Sequence, residues 1–472
     1  MAIRSLTMES NDRHQQYLEF RKKYPWFSFD GYDVFADKNQ ISVTYFFNLS
    51  GKYTFTPSFK IPFKPVYTVP FTPELINNPL FDSLVFQIGM MELVSYWKAA
   101  CPPLVIVKPH KLDEWQVKWW KKVYFNGLGE FFFLNNIKAD IHDFMRIESQ
   151  GPRLQPHAAK LDEGVIVPVG GGKDSIVTLE LLRKQKQVVP FILNPRGATL
   201  QTLDTAGISK NSFIEVDRSI HPLLLKLNEQ GFLNGHTPFS ALLASYTLLV
   251  SFLSGHRHIA LSNESSANEA TDPVTGINHQ YSKSFEFESD FREYQGKFIS
   301  PSFNYFSFLR PLNELQIGGL FSDHVRYYPV FKSCNVGSKT DSWCCNCPKC
   351  LFAWIILSPF IPLDELTHIF GKNLFTEPSL LPYIKELTGV EEVKPFECVG
   401  TIDEVNAALQ LYIHRHQVGN WPLLLDFYSN TEIYRKFTLY DPQQLLRDYN
   451  HENFLQPDFE AILKERLACK NW

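Results

Sequence analysis

Apolar and polar positions follow three rhythms along the chain. In "ISVTYFFNLSGKYTF", Ile41, Val43, Tyr45 and Phe47 alternate strictly, the chain turns through residues 48–51, and Tyr53 and Phe55 resume the alternation, which predicts a β-hairpin. "FQIGMMELVSYWKAACPPLVIV" predicts a helix that stops before Pro102 and then a short apolar strand, so this first region mixes helices and strands. From about Lys160, "VIVPV", "SIVTLELLRKQ", "VVPFIL", an apolar helix from Phe239 and "HIALS" from His258 alternate strand with helix, the pattern of a parallel, doubly wound α/β sheet. Pro168 and Pro190 lack a ladder N–H and are placed near strand ends. From about Ile361 the rhythm is helical. "GTIDEVNAALQLYIHRHQVG" sets Thr401 and Glu404 at capping-box spacing, Ile402, Val405, Leu409 and Ile413 on one face, and His414, Arg415 and His416 in the last turn. "YDPQQLLRDY" repeats the logic, with Asp441 as cap and Pro442 at the first helical position. These rhythms divide the chain into an α+β region at 1–158, a doubly wound α/β region at 159–360 and a helical region at 361–472. The sequence carries no internal repeat and no low-complexity tract.

Composition narrows the partners. A chain of 472 residues exceeds what one hydrophobic core usually serves, consistent with two or three domains. Hydrophobic residues make up 44% and charged residues 20%, the balance of a globular rather than a disordered protein. A net charge of −4 offers no long-range attraction to nucleic acid or to an anionic membrane, so neither is expected as a partner. The start, "MAIRSLTMESNDRHQQ", lacks the apolar core of a signal peptide, and "ALLASYTLLVSFLSG" from Ala241 is too short and too hydroxyl-rich to span a bilayer. A cytoplasmic protein is expected. "KWWKKVYF" at 118–125 mixes cations and aromatics as a nucleic-acid surface would, but one amphipathic turn with solvated charges accounts for the same residues.

The segment "VIVPVGGGKDSIVTLELL" carries the chain from a strand through Gly170, Gly171 and Gly172 into a helix. Unhindered backbone N–H groups at the positive end of a helix form an anion site. The Walker pattern fails, because Val167 and Asp174 stand where it needs Gly and Ser or Thr; the dinucleotide pattern fails because its third glycine falls at Ser175. What remains resembles the SGGxDS loop of the ATP pyrophosphatase (PP-loop) enzymes, matched by Gly171, Gly172, Asp174 and Ser175, with Gly170 in place of the leading serine. A helix dipole contributes only about 0.3–1 kcal/mol per nearby charge, so Lys173 is a candidate phosphate cation and Asp174 a candidate Mg²⁺ ligand. A glycine turn that only packs helix against strand, with Asp174 and Ser175 as caps, is the alternative.

Five of the eight cysteines fall between Cys334 and Cys350, which argues against a disulfide framework. Cys334, Cys344, Cys347 and Cys350 can close a tetrahedron around Zn²⁺, with Cys345 as a spare facing away; the same thiolates could hold an Fe–S cluster. Four thiolates leave no open position for substrate, so a folding role is expected of the metal.

A PP-loop followed by this cysteine spacing is similar to the 7-cyano-7-deazaguanine synthases, but the chain is far longer. Across most of its length it resembles instead the ATP-dependent UDP-N-acetylmuramoyl-L-alanyl-L-glutamate epimerases of peptidoglycan synthesis, in "QIGMMELVSYWK", "VPVGGGKDS", "NGHTPFSALLA", "LSNESSAN", "NHQYSKSFEFE", "RPLNELQIGGLF", the cysteine cluster and "KPFECVGT". The resemblance implies the adenine nucleotide α-hydrolase-like PP-loop fold, with ATP and Mg²⁺ in use and structural Zn²⁺, and a first region that binds substrate. It implies inversion of the terminal L-glutamate of UDP-MurNAc-L-Ala-L-Glu through a carboxyl-adenylate, with release of AMP and pyrophosphate. Taking a proton from beside an ionised carboxylate places two negative charges on one group, whereas adenylation makes that carboxylate a neutral mixed anhydride. A histidine or a desolvated lysine serves as a base near neutral pH, which points to His279 and Lys283, and to His236. His236 as a mere helix cap, and Lys283 as a phosphate or carboxylate ligand, are the bland readings. Asn263 and Glu264 follow the strand "HIALS", where open α/β sheets place ligands, and Arg310 offers a fork for phosphate; a turn and a salt bridge are their alternatives. A PP-loop enzyme that modifies tRNA and a non-catalytic nucleotide-binding scaffold are the rival functions.

Overall fold

The alternation at residues 41–55 becomes two antiparallel strands, Gln40–Leu49 and Tyr53–Phe55, with Phe47 opposite Phe55. The computed structural model describes residues 2–271, 276–416 and 420–472, with side chains from residue 13 onward. It divides into two units. One comprises the chain through Ile166 with Asn211–Ile259 and Tyr281–Asn304; the other comprises Val167–Lys210, Ala260–Gln280 and Tyr305–Trp472.

In the first unit the strand Trp26–Asp37 pairs antiparallel with Gln40–Leu49 and parallel with Leu104–Val107, which pairs parallel with Arg146–Ser149. On the other side, Gln40–Leu49 pairs with Ser58–Pro62, and that strand with Ile214–Ser219. Ile41, Val43, Tyr45, Phe47 and Leu49 are all buried, as the alternation requires. The helix Pro79–Trp97 lies so close to this sheet that a Cβ at Gly89 would meet the rings of Phe29 and Tyr45 at 2.5 and 2.7 Å. The helix Glu114–Gly127 resolves the mixed cluster at 118–125. Trp119 and Trp120 are buried, Trp119 stacks on Tyr294 with centroids 3.8 Å apart, and Lys122 pairs with Glu286 and Asp290 at 2.7 and 2.6 Å. The aromatics pack the unit and the cations are paired or solvated.

The strands Asp162–Pro168 and His256–Leu261 begin in the first unit, where they run parallel with His258 opposite Val165. Their carboxyl ends belong to the second. There Val169 N donates to Phe191 O (2.8 Å) and Phe308 N to Leu261 O (2.7 Å). Pro168 ends its strand as expected, but Pro190 is the third residue of Val188–Leu193. The bond from Val169 runs to its neighbour Phe191, and Pro190 itself donates no bond to the ladder. Beyond Leu363 the chain is helical, as predicted. Thr401 N donates to Glu404 Oε2 (2.6 Å) and Glu404 N to Thr401 Oγ1 (3.1 Å), closing the capping box on Ile402–His416. The element after Asp441 differs. Asp441 Oδ1 accepts from Gln443 N at 3.0 Å, and this side-chain turn delays the helix to Gln444–Arg447. The chain is thus a mixed α/β protein with parallel strand pairs and a helical C-terminal region. Among the described residues, no helix is long and apolar enough to cross a membrane.

Candidate functional site

The second unit builds its glycine loop from a strand end and a helix start. Gly171 is the glycine this loop requires. Its φ is +81°, and a Cβ would meet Ala198 at 3.2–3.3 Å. Gly172 is the N-cap of Lys173–Leu182 in extended conformation, and no side chain caps the first turn. Its N–H groups therefore keep the polarity that attracts an anion. Ser175 Oγ turns back to Gly172 O at 3.0 Å, and exposed Gly170 faces open space.

The first helical turn is densely charged. Lys173 is only 5% exposed, and its ammonium bridges the carboxylates of Asp174 and Glu314. Burial works against that ammonium, but the two carboxylates outweigh it and hold its pKa above the usual lysine value. Glu314 opens the helix Glu314–Phe321 behind an Asn313 capping box and is 2% exposed. Burial pushes its carboxyl up to about 8, against the pull of Lys173 and helped by Asp174 and Glu264. Glu404 joins the group: Oε1 accepts from Glu314 N at 2.8 Å, and burial raises its carboxyl too. Asn263 Nδ2 reaches Ser307 Oγ at 3.0 Å, while Arg310, fully buried, donates to the carbonyl of Glu264 at 2.5 Å. Arg310 therefore shapes the 263–264 loop from within its own unit.

The four predicted cysteines converge, with all four sulfurs within 4.8 Å of one another. Sulfurs about 2.3 Å from one tetrahedral ion stand about 3.8 Å apart. Cys334 and Cys347 are 4.0 Å apart and Cys344 and Cys350 3.8 Å, spacings that suit a single ion. Backbone N–H groups of Gly337 (3.1 Å) and Cys344 (3.5 Å) point at Cys334 Sγ, as a thiolate prefers. Cys345 does face away, its thiol donating to Phe370 O at 3.0 Å. The cysteine segment also braces the glycine loop. Lys332 N donates to Gly171 O at 2.9 Å, and a Cβ at Gly172 would meet Ser333 Oγ at 3.0 Å. Asp341 accepts from Gly197 N (3.1 Å) and Ala198 N (2.9 Å), capping the helix Gly197–Thr205 whose Ala198 abuts Gly171.

Of the candidate bases, His236 belongs to the first unit. It does not cap a helix, since Pro238 is the N-cap of Phe239–Ser254 and no side chain caps that turn. Instead its Nδ1 lies 3.5 Å from Glu130 Oε2. The neighbouring Gly235 carbonyl accepts from Lys98, a lysine whose pKa burial lowers to about 8. Lys283, half-buried, ends the short turn Tyr281–Lys283 of the same unit. His279 lies in the second unit, its N–H donating to Thr271 Oγ1 at 3.1 Å and its ring edge-on to Phe396. Glu314 and Glu130 were not singled out by sequence reasoning. Each stands far along the chain from its partner, with no spacing that could announce it.

The MurL N-terminal domain model matches residues 19–308, and the MurL C-terminal domain model matches 330–435. The chain belongs to the MurL family. Among its relatives, proteins named UDP-N-acetyl-alpha-D-muramoyl-L-alanyl-L-glutamate epimerase from a Micromonospora species and from Xanthomonas oryzae pv. oryzae are each 34% identical to it. The first match covers 73% of this chain and 80% of the relative, the second 68% and 72%. The protein of the same name from Salinispora tropica is 36% identical over 67% of this chain and 70% of its own length. No solved structure matches significantly. Within the family's two domains, the glycine loop, His236, His279 and Lys283 fall in the first and the cysteine centre in the second, while Arg310 and Glu314 lie between them.

Proposed function

We propose that the chain inverts the α-carbon of the terminal L-glutamate of UDP-N-acetylmuramoyl-L-alanyl-L-glutamate, in peptidoglycan precursor synthesis, at the expense of ATP. The observation that carries this reading is an uncapped helix start behind a φ-positive glycine, with a lysine and an aspartate in its first turn, in a chain whose relatives are named for that epimerisation. The arrangement is read as a PP-loop: the backbone of Gly170, Gly171 and Gly172, with Lys173 and Ser175, would hold the pyrophosphate end of ATP. Mg²⁺, when bound, neutralises phosphate charge, and Asp174 is the carboxylate proposed to hold it. Asn263, Glu264 and Arg310 are proposed to contact the nucleotide beside it. Cys334, Cys344, Cys347 and Cys350 hold structural Zn²⁺ that keeps the bracing segment in place.

In the proposed reaction a glutamate carboxylate oxygen attacks the α-phosphorus of ATP, and the bond to the pyrophosphate oxygen breaks. A base then takes the α-proton, the enolate is protonated on the opposite face, and water hydrolyses the anhydride to free carboxylate and AMP. His279, Lys283 and His236 are the groups proposed to carry the proton. Residues 1–158 are assigned to the UDP-muramoyl moiety and 159–360 to adenylation, and 361–472 are the helical C-terminal region.

Purified protein with ATP, Mg²⁺ and the L-glutamate nucleotide in D₂O should form AMP and pyrophosphate, with one deuterium at the glutamate α-position and D-glutamate on chiral analysis. Turnover without deuterium entry would indicate ligase chemistry. AMP formation that needs tRNA would indicate a nucleic-acid substrate, and nucleotide binding without any turnover a scaffold.

A further inference from the structure

Four lysines are buried among the described residues, and three of them meet carboxylates. Lys64 pairs with Glu215 at 3.1 Å, Lys173 bridges Asp174 and Glu314, and Lys394 pairs with Glu269. Lys98 is the exception. It stands at the C-cap of the helix Pro79–Trp97, 7% exposed, and its ammonium donates to a main-chain carbonyl, that of Gly235, with no ion pair among the described residues. A buried ammonium is costly unless a charge answers it, and burial already lowers the pKa of Lys98 to about 8. An apolar side chain of similar reach would fill the same space without that cost, so the reason for a lysine lies in the carbonyl it holds.

That carbonyl belongs to the peptide that leads into His236. Leu233 N donates to Ala99 O at 3.1 Å, which lays the turn along the end of the same helix, and Asn135 Nδ2 donates to Asn234 O at 3.1 Å. A Cβ at Gly235 would meet Phe131 at 3.1 Å, and one at Gly127 would meet Pro238 at 2.6 Å, so residues 234–238 lie pressed against the helices Glu114–Gly127 and Gly129–Leu134. The second of these carries Glu130, whose carboxylate lies 3.5 Å from His236 Nδ1. Two successive carbonyls, of Asn234 and Gly235, are thus held by the side chains of Asn135 and Lys98, and the half-buried imidazole follows them directly. We infer that Lys98 is a positioning residue: by holding the Gly235 carbonyl from the buried side it fixes the peptide that carries His236, and with it the place of the imidazole beside Glu130. That His236 moves a proton rests on the function proposed above; that Lys98 sets its place does not.

The test uses the full-length protein with zinc at the cysteine centre and ¹⁵N-labelled histidine. The His236 ring signals, assigned by their loss in His236→Ala, then report its place without turnover. Lys98→Met should shift those signals, while the rings of His256 and His258, held by Asp162 and Glu163 in the same unit, keep theirs. Lys98→Arg, which retains a charged donor, should restore most of the wild-type spectrum. In D₂O, Lys98→Met should slow kcat for deuterium entry by up to about 10²-fold, the cost of a slightly displaced reacting group, with KM for ATP unchanged. Where His236→Ala is itself impaired, adding Lys98→Met should cost little more. Unmoved His236 signals in folded Lys98→Met overturn the inference, as does a full further loss of rate in the impaired His236→Ala background, which would give Lys98 a role of its own. Should Lys98→Met fail to fold, Lys98→Gln takes its place with the same outcomes; failure of both makes Lys98 a folding residue and also overturns the inference. A His236→Ala protein with full deuterium entry removes His236 from the proposed reaction, and the ring signals alone then decide whether Lys98 places it.

Discussion

The cysteine centre and the carboxylate pocket lie in the same unit and are built on opposite principles. At the cysteine centre four like donors, all between Cys334 and Cys350, meet at spacings that fit one ion and leave no position open. At the pocket, Asp174 and Glu314, from segments far apart in the chain, share the Lys173 ammonium, and Glu404 accepts from the backbone N–H of Glu314. The first is a closed set of like donors, suited to holding structure; the second is a buried group of mixed charge in which burial raises the carboxyls of Glu314 and Glu404. The two are joined by Lys332, Ser333 and Asp341, which bring the cysteine segment against the glycine loop and the helix beside it.

The comparison breaks most visibly at the cysteines. Structural zinc contributes about 10–16 kcal/mol of apparent binding energy in small domains, more than most domains' whole stability. Cys347→Ala should therefore lose its metal by elemental analysis and be recovered insoluble. A soluble, active Cys347→Ala protein would end the structural reading. The pocket should respond in the other sense: Asp174→Ala should abolish AMP and pyrophosphate release, by three orders of magnitude or more, while melting within a few degrees of wild type. Retained turnover would remove Asp174 from the reaction.

Legibility divides along the same line. The cysteine ligands, the hairpin at 41–55 and the Thr401–Glu404 box could all be read, because the residues that act together are neighbours in the chain. Lys173 and Asp174 pair as chain neighbours, but Glu314 lies 141 residues from Lys173, and only the fold unites them. Glu404 was read as a cap and is one, yet it also walls the pocket, a second role that periodicity cannot express. The element after Asp441 was read from cap and proline alone, and the side-chain turn to Gln443 competed with the helix and won.

A smaller effect is expected in the first unit, where Glu130 stands beside His236. If His236 moves the proton, Glu130 orients its ring, and Glu130→Gln should slow deuterium entry into the glutamate measurably, by less than the ~10²–10⁴-fold that loss of a general base itself costs. Exchange should then fall while ATP affinity, measured by calorimetry, stays the same. Loss of both together would make Glu130 a packing residue, and unchanged exchange would pass the proton to His279 or Lys283.

The smallest effect tests the link between the two sites. Asp341 sits in the left-handed region (φ 49°) and accepts from two N–H groups at the start of Gly197–Thr205. Removing such a cap costs about 0.5–2 kcal/mol. Asp341→Ala should lower the thermal midpoint by a few degrees without releasing zinc. It should also raise KM for ATP several-fold with little change in kcat, because Ala198, which the cap positions, is the surface against which Gly171 is folded. Asp341→Asn keeps one acceptor and tolerates the same backbone, so it should recover most of both effects. If Asp341→Ala lowers stability but leaves KM untouched, the cysteine segment supports the unit without shaping the glycine loop, and the two sites are neighbours only in space.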